Sequence, residues 1–214
     1  MAIRGKPLYL ASLLVVIAAG AGTATWRLTA GKALRAAPEL ATGTSFAPSR
    51  ELPDFSLIDT QGRPFGNANL RGHWSIMFFG YTNCPDFCPT TLTLLASLEK
   101  RLRAEHAAVL PSVIFVSVDA KRDTPQQMAR YVPYFDPGFI GLTARDQPEI
   151  EAVARKLGVG VIITPRPDGT YTVDHSGAVF VLDPRGRMAA ILTGPFTTDA
   201  LQADFQRIVA CGSC

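Results

Sequence analysis

Residues 76–89 read Ile76-Met77-Phe78-Phe79-Gly80-Tyr81-Thr82-Asn83-Cys84-Pro85-Asp86-Phe87-Cys88-Pro89, an apolar run that passes directly into a Cys-x3-Cys loop. Leucines follow at 92, 95, 98 and 102, a spacing that places them on one stripe of a helix. Two thiols are therefore predicted at a strand-to-helix turn. The unpaired N–H groups of a helix N-terminus favour thiolate, which is both nucleophile and metal ligand. Thiol redox chemistry and soft-metal binding both fit this pattern.

Beyond Leu52 the chain alternates apolar strands with helical patterns. An N-terminal hairpin is predicted around the turn Gln61-Gly62. Thr124 is expected to cap a helix that opens at Pro125, with Gln127 completing a capping box. Further strands are predicted at 74–81, 113–118, 139–142, 159–164, 178–183 and 188–193, with other helices from Pro89, through 150–157 and through 201–208. This order is typical of an α/β sandwich.

Loops at the carboxyl ends of strands gather at one edge of such a sheet, where sites usually form. Three segments qualify: 81–88, 119–124 and the stretch that reaches His175 just before a strand. A lone histidine is most often a hydrogen-bonded core residue. If His175 instead meets the cysteines, the site holds two thiols and one imidazole, and imidazole is a common metal ligand.

The composition and net charge limit the class of protein and the partners that can be expected. The chain has 214 residues, 47% of them hydrophobic and 18% charged, which is ordinary for one globular domain with an appendage. The net charge of +3 would indicate nucleic-acid binding only if basic residues were clustered. Lys100, Arg101 and Arg103 instead share a predicted helix with Glu99 and Glu105, a pattern typical of a solvated face. No nucleic-acid partner is predicted.

The N-terminal 50 residues form the appendage. Arg4 and Lys6 precede an uncharged stretch over 8–26, which is just long enough to cross a bilayer. Its small-residue second half also offers cleavage options, so a removable signal peptide competes with the favoured anchor. We assign 1–32 to the signal or membrane anchor, 33–50 to a flexible tether and 51–210 to the folded domain.

Four motifs in order resemble the Sco/SenC family of copper-binding assembly factors for cytochrome c oxidase. They are Gly80-Tyr81-Thr82-Asn83-Cys84-Pro85-Asp86-Phe87-Cys88-Pro89, Ser117-Val118-Asp119 with Arg122-Asp123-Thr124-Pro125, Phe139-Ile140-Gly141-Leu142-Thr143, and Val173-Asp174-His175-Ser176. The resemblance covers roughly residues 52–208. It implies a thioredoxin-like fold on a membrane tether, with copper ligands at Cys84, Cys88 and His175. The context of Asp119 departs from the family pattern, and we assign it no ligand role.

The resemblance also implies partners and location. The partner is the copper-binding subunit of cytochrome c oxidase, with a further copper chaperone or a thioredoxin-like reductant as additional candidates. The folded domain is expected in the periplasm on a single inner-membrane span, or in the mitochondrial intermembrane space of a eukaryote. The protein is then a metallochaperone rather than a turnover enzyme.

The residues themselves support copper, as Cu(I) or Cu(II). Two thiolates and one imidazole form a three-ligand soft site that suits Cu(I), whereas structural zinc usually takes four protein ligands. The rival is a thiol-disulfide reductase that acts on the acceptor's cysteines through a mixed disulfide. Thioredoxin-type enzymes use Cys-x2-Cys, and such an enzyme gains nothing obvious from His175. A peroxidase ranks last, because no separate peroxidatic motif is found.

The final four residues, 211–214, form a Cys-x2-Cys tail that the resemblance does not explain. A second copper site, a resolving dithiol for Cys84 and Cys88, and a local disulfide are all compatible with it. The local disulfide is the default in an oxidising, exported location.

Overall fold

The computed structural model describes residues 36–212, and the export segment predicted at 1–32 lies outside them. The elements are β1 (Gly43–Arg50), β2 (Ser56–Asp59), β3 (Pro64–Gly66), β4 (Ser75–Gly80), α1 (Phe87–Ala104), β5 (Ser112–Ser117), α2 (Pro125–Tyr131), β6 (Ile140–Thr143), α3 (Gln147–Lys156), β7 (Val161–Pro165), β8 (Tyr171–His175), β9 (Val179–Leu182), β10 (Met188–Leu192) and α4 (Thr198–Cys211). Within this range, no helix combines the length and the apolarity needed to cross a bilayer.

Eight strands form one sheet in the order β1-β10-β9-β4-β5-β6-β2-β3. β4, β5 and β6 run parallel at its centre, and β9 lies antiparallel to β4. Every residue of β4 is buried, as expected for a central strand covered on both faces. The predicted α/β architecture and the β2–β3 hairpin are confirmed.

Helix α1 carries the leucine stripe, whose four members at 92, 95, 98 and 102 are all buried. It begins at Phe87 rather than at the predicted Pro89. Cys88 therefore belongs to the first helical turn, while Cys84 stays in the preceding loop. The two cysteines consequently differ in how firmly the backbone holds them.

Helix α2 begins as predicted, since the Thr124 side chain accepts a hydrogen bond from the backbone N–H of Gln127 at 3.3 Å. The predicted capping box is not completed. The Gln127 side chain instead donates to the Thr82 hydroxyl at 3.5 Å. This residue therefore connects the helix to the cysteine loop.

The tether prediction was wrong for its last eight residues, because Gly43–Arg50 forms strand β1 and pairs with β10. A Cβ at Gly43 would lie only 2.1 Å from the carbonyl oxygen of Ile191, so the close backbone approach requires glycine. The chain just before β1 is held by buried Asp204 of α4, which accepts hydrogen bonds from the backbone N–H groups of Ala41 and Thr42 at 2.9 and 2.8 Å.

A separate two-stranded sheet is formed by the β7–β8 hairpin, which lies between α3 and β9 in the chain. Val161 pairs with His175 and Pro165 with Tyr171. The segment reaching His175 was expected to be a loop. It is a strand, and His175 is its last residue.

Candidate metal centre

The two cysteines of the loop lie at the carboxyl end of β4, and both are free thiols. Cys88 is fully buried, and Cys84 is half-buried. The Sγ atom of Cys84 accepts a hydrogen bond from the backbone N–H of Cys88 at 3.3 Å. That contact places the sulfur of Cys84 at the N-terminus of α1, where negative charge is favoured.

The imidazole of His175 lies beside the thiol of Cys88. Its Nε2 atom lies 3.4 Å from Sγ of Cys88, and its Nδ1 atom lies 3.1 Å from the carbonyl oxygen of Ser176. Because a carbonyl oxygen can only accept, we assign the proton of the neutral ring to Nδ1. The Nε2 lone pair then faces the thiol, which is how a histidine ligand is oriented in metal sites.

Three aromatic rings surround the imidazole. The centroids of Phe78, Tyr81 and Phe87 lie 6.3, 6.0 and 6.4 Å from that of His175. Phe87 is 42% exposed and forms the outer part of this wall. A Cβ at Gly177 would lie 2.5 Å from the Phe87 ring, so glycine is needed for that ring to cover the loop after His175.

Burial favours the uncharged forms of Cys88 and His175 in the metal-free site. It raises the pKa of the Cys88 thiol well above its ordinary value, and the neighbouring Cys84 adds to the effect. Burial also lowers the pKa of His175. A neutral thiol beside a neutral imidazole is therefore the resting pair, and a metal ion that binds there displaces the thiol proton.

A buried carboxylate anchors the cysteine loop. Asp123 is fully buried and accepts hydrogen bonds from the N–H and the hydroxyl of Thr82, at 2.8 and 2.6 Å, and from the hydroxyl of Ser117 at 2.6 Å. Thr82 lies two residues before Cys84. The sequence interpretation did not assign this role to Asp123, although the residue falls in the 119–124 segment predicted at the same edge.

A cavity of about 590 Å³ opens beside the site, and its wall includes Cys84, Phe87 and His175. A groove of about 520 Å³ along α1 is lined by neither thiol nor imidazole. Across residues 36–212, no group of three or more His, Cys, Asp or Glu side chains is already arranged to hold a metal ion. The three predicted ligands are thus neighbours, and a metal ion would have to draw them together.

The C-terminal pair is only partly described. Cys211, the last residue of α4, is disulfide-bonded, and Cys214 lies outside the described residues. The role of the Cys-x2-Cys tail stays a prediction.

Comparisons with known proteins match this architecture. The family model described as SCO1/SenC matches residues 44–210. The chain is 35% identical over 193 residues to "Protein SCO1 homolog 1, mitochondrial" of Arabidopsis thaliana, covering 85% of this chain and 55% of that protein. It is 40% identical over 134 residues to "Protein SCO2 homolog, mitochondrial" of Mus musculus, covering 62% of this chain and 52% of that protein. The chain spans about half the length of these relatives.

Among solved structures, Arabidopsis thaliana ScoI with copper bound has a TM-score of 0.70 and 35% identity, over 77% of this chain and 99% of that one. Fold and site together define a thioredoxin-like α/β domain with a dithiol and an imidazole at one sheet edge. The chain belongs to the SCO1/SenC family. The resemblance stated from the four motifs is confirmed.

Proposed function

We propose that the chain is a copper metallochaperone that binds one copper ion through Cys84, Cys88 and His175. The observation that carries the proposal is the 3.4 Å approach of His175 Nε2 to Cys88 Sγ, with Cys84 Sγ 3.3 Å from the backbone nitrogen of Cys88. The hydrogen bond from His175 Nδ1 to Ser176 supports it, because that bond turns the free lone pair toward the sulfur. Copper in the related Arabidopsis structure supports the choice of metal.

The donor set itself favours copper. Two thiolates and one imidazole are three ligands of the softness that Cu(I) prefers, whereas a structural zinc site is usually closed by a fourth. The cavity beside Cys84 and His175 leaves the site open on one side. An acceptor thiolate can enter there and take the metal, which a carrier requires.

Family membership supports the copper-binding subunit of cytochrome c oxidase as the acceptor, with delivery to its binuclear copper centre. A membrane anchor at 1–32 that holds the domain on the periplasmic face of the inner membrane would bring it to that acceptor. This part of the proposal rests on the apolar stretch over 8–26.

A second candidate function is reduction of the acceptor's cysteines. Its specific support is the asymmetry of the dithiol: Cys84 is half-buried beside an open cavity, and Cys88 is fully buried behind it. Such a pair can attack a partner disulfide with the outer sulfur and resolve the mixed disulfide with the inner one. The acceptor disulfide would leave as a dithiol, and Cys84 and Cys88 would be joined by a disulfide.

Anaerobic Cu(I) titration of the reduced chain against a chromophoric chelator tests the proposal. We expect one tightly bound copper per chain, loss of tight binding in Cys84→Ser and Cys88→Ser, and weaker binding in His175→Ala. His73→Ala is the matched control, since it removes an imidazole that lies outside the site. A double Cys211→Ser, Cys214→Ser variant excludes the tail as the binding site.

The same titration can contradict the copper role. If His175→Ala binds copper as tightly as the unchanged chain, the imidazole is not a ligand. If in addition the Cys84–Cys88 pair exchanges readily with a partner disulfide, the reductase function is favoured instead.

A further inference from the structure

The β7–β8 hairpin packs against the core through Val173, and it is hydrogen-bonded to the rest of the domain at the two ends of β8. Within residues 36–212, the hydrogen bonds from these two strands to other elements are made by His175 at one end and Tyr171 at the other. An isolated two-stranded hairpin is marginally stable in water. Beyond the packing of Val173, the position of the hairpin therefore depends on the hydrogen bonds at those two ends.

The Tyr171 end contacts an ion pair between buried Asp119 and partly exposed Arg122. The Tyr171 hydroxyl donates to Oδ1 of Asp119 at 2.7 Å, and Asp119 is fully buried. The other oxygen of that carboxylate accepts a hydrogen bond from Nε of Arg122. The guanidinium carbon of Arg122 lies 3.9 Å from the centroid of the Tyr171 ring, and Nη1 donates to the Tyr171 carbonyl oxygen at 3.3 Å.

Asp119 is itself fixed to the main sheet. Its backbone N–H donates to the hydroxyl of Ser117, the last residue of β5, at 3.0 Å. Burial and the hydrogen bond to Asp119 raise the pKa of Tyr171 to about 12, so the hydroxyl is a donor at neutral pH. The hairpin is thus anchored to the end of a central strand.

We propose that Tyr171 is a positioning residue, whose hydroxyl contact with Asp119 anchors β8 and thereby holds His175 at Cys88. Residues two apart in a strand share a face, so Tyr171, Val173 and His175 all point to the domain. Val173 between them is buried. Tyr171 lies about 13 Å along the strand from His175 and contacts no proposed metal ligand in the described hydrogen-bond network. The copper consequence of this anchor rests on the proposed function, but the anchor itself does not.

The test uses Tyr171→Phe, which keeps the ring and removes only the hydroxyl. Tyr134→Phe is the matched control, because Tyr134 is 85% exposed and lies outside the hairpin. In the reduced, metal-free chain, we expect amide hydrogen exchange in β7 and β8 to become about 10-fold faster in Tyr171→Phe, as for the loss of one hydrogen bond. Exchange in β4 and β5 should not change.

Copper affinity supplies the second readout. Changes to residues that orient a metal ligand weaken binding by about 10-fold or more. We expect Tyr171→Phe to weaken Cu(I) binding by about 10-fold in the chain that retains His175. In a His175→Ala background, the same substitution should have no further effect on copper affinity. Substitution of a residue that only stabilises the fold would lower the copper affinity equally in both backgrounds.

Each readout can overturn the proposal. Unchanged exchange in β7 and β8 would show that the hydroxyl does not anchor the hairpin. An equal loss of copper affinity in both backgrounds would show that Tyr171 does not act through His175. If the unchanged chain binds no copper, the proposed function fails, and the exchange rates alone still decide whether Tyr171 is an anchor.

Discussion

Glycine at position 80 lets Cys88 lie directly against the central strand. A Cβ at that position would lie 2.9 Å from Sγ of Cys88 and 2.6 Å from the ring of Phe115. Both distances are too short for carbon beside these atoms, and a close-packed interior has no free volume to absorb the difference. The position of the buried Cys88 thiol therefore depends on the absence of a side chain at Gly80.

Gly80→Ala should destabilise the fold by about 1–3 kcal/mol, the usual cost of overpacking a core. It should also weaken Cu(I) binding, because the sulfur of Cys88 must move. Urea unfolding and copper titration check the two effects. Gly160→Ala is the control, since the nearest atom to a Cβ there is the Ser176 hydroxyl at 3.7 Å. Equal unfolding free energies for the two variants would contradict the packing argument.

The histidine should make the fold sensitive to mild acid. Burial lowers the pKa of His175, so in the pH range just below about 6.5 the unfolded chain binds more protons at this residue than the folded chain. The contribution of His175 to the unfolding free energy is therefore complete above about pH 6.5 and falls as the pH drops, by at most about 1.4 kcal/mol per pH unit.

Urea unfolding of the metal-free chain between pH 5.5 and 7.5 measures this slope. His175→Asn should show a shallower dependence over the same range, and His73→Asn should keep the original one. Identical slopes for the unchanged chain and His175→Asn would show that the buried imidazole does not titrate as described.

At the scale of elements, the strands that could be predicted are those with a continuous apolar sequence. Strands β4 and β5 are unbroken apolar runs, so their type and place follow from the sequence. Strand β1 reads Gly-Thr-Ser-Phe-Ala-Pro-Ser-Arg and has no such pattern. It is a strand because β10 pairs with it and Asp204 holds the residues just before it, and these partners lie 138 to 162 residues away in the chain. Sequence periodicity carries no information on such partners.

The candidate site likewise contains residues that the sequence predicts and residues that it does not. The cysteine loop and the motif around His175 are local signals, and the resemblance to a family identified both. The anchors at Asp123 and at the Tyr171–Asp119 pair are not local, because they join residues that are 41 and 52 positions apart in the chain. Charged loop residues usually indicate solvated positions, yet Asp119 and Asp123 are fully buried here.

Asp204→Ala should destabilise the fold by about 3 kcal/mol, because a fully buried carboxylate that accepts three hydrogen bonds before β1 is lost. Asp199→Ala on the same helix removes an exposed ion pair with Arg101 and should cost less than about 1 kcal/mol. Urea unfolding compares the two. A cost for Asp204→Ala as small as that for Asp199→Ala would show that β1 is held by strand pairing alone.

At the scale of the whole molecule, both proposed functions use the same dithiol, so the proposal requires that the redox state of its sulfurs control copper binding. A disulfide between Cys84 and Cys88 leaves no thiolate to bind copper. The central sheet does not depend on that bond, since β4 and β5 are held by their own ladder and a buried core.

Mild oxidation of the metal-free chain should therefore abolish tight Cu(I) binding and leave the far-ultraviolet circular dichroism spectrum unchanged. Subsequent reduction should restore one copper per chain. The experiment is done in the double Cys211→Ser, Cys214→Ser variant, so that the tail takes no part. Undiminished copper binding by the oxidised chain would place the metal away from Cys84 and Cys88.

The β7–β8 hairpin stands apart from the eight-stranded sheet, and the chain enters and leaves it between α3 and β9. The imidazole thus lies on a hairpin outside the main sheet, while the thiols lie in the loop after the central strand β4 and in the first turn of α1. Changes confined to residues 159–177 would therefore move the proposed third ligand without altering the β4–β5 ladder beside the dithiol. Substitutions in the hairpin should therefore alter the proposed copper binding while leaving the proposed thiol-disulfide exchange of Cys84 and Cys88 in place.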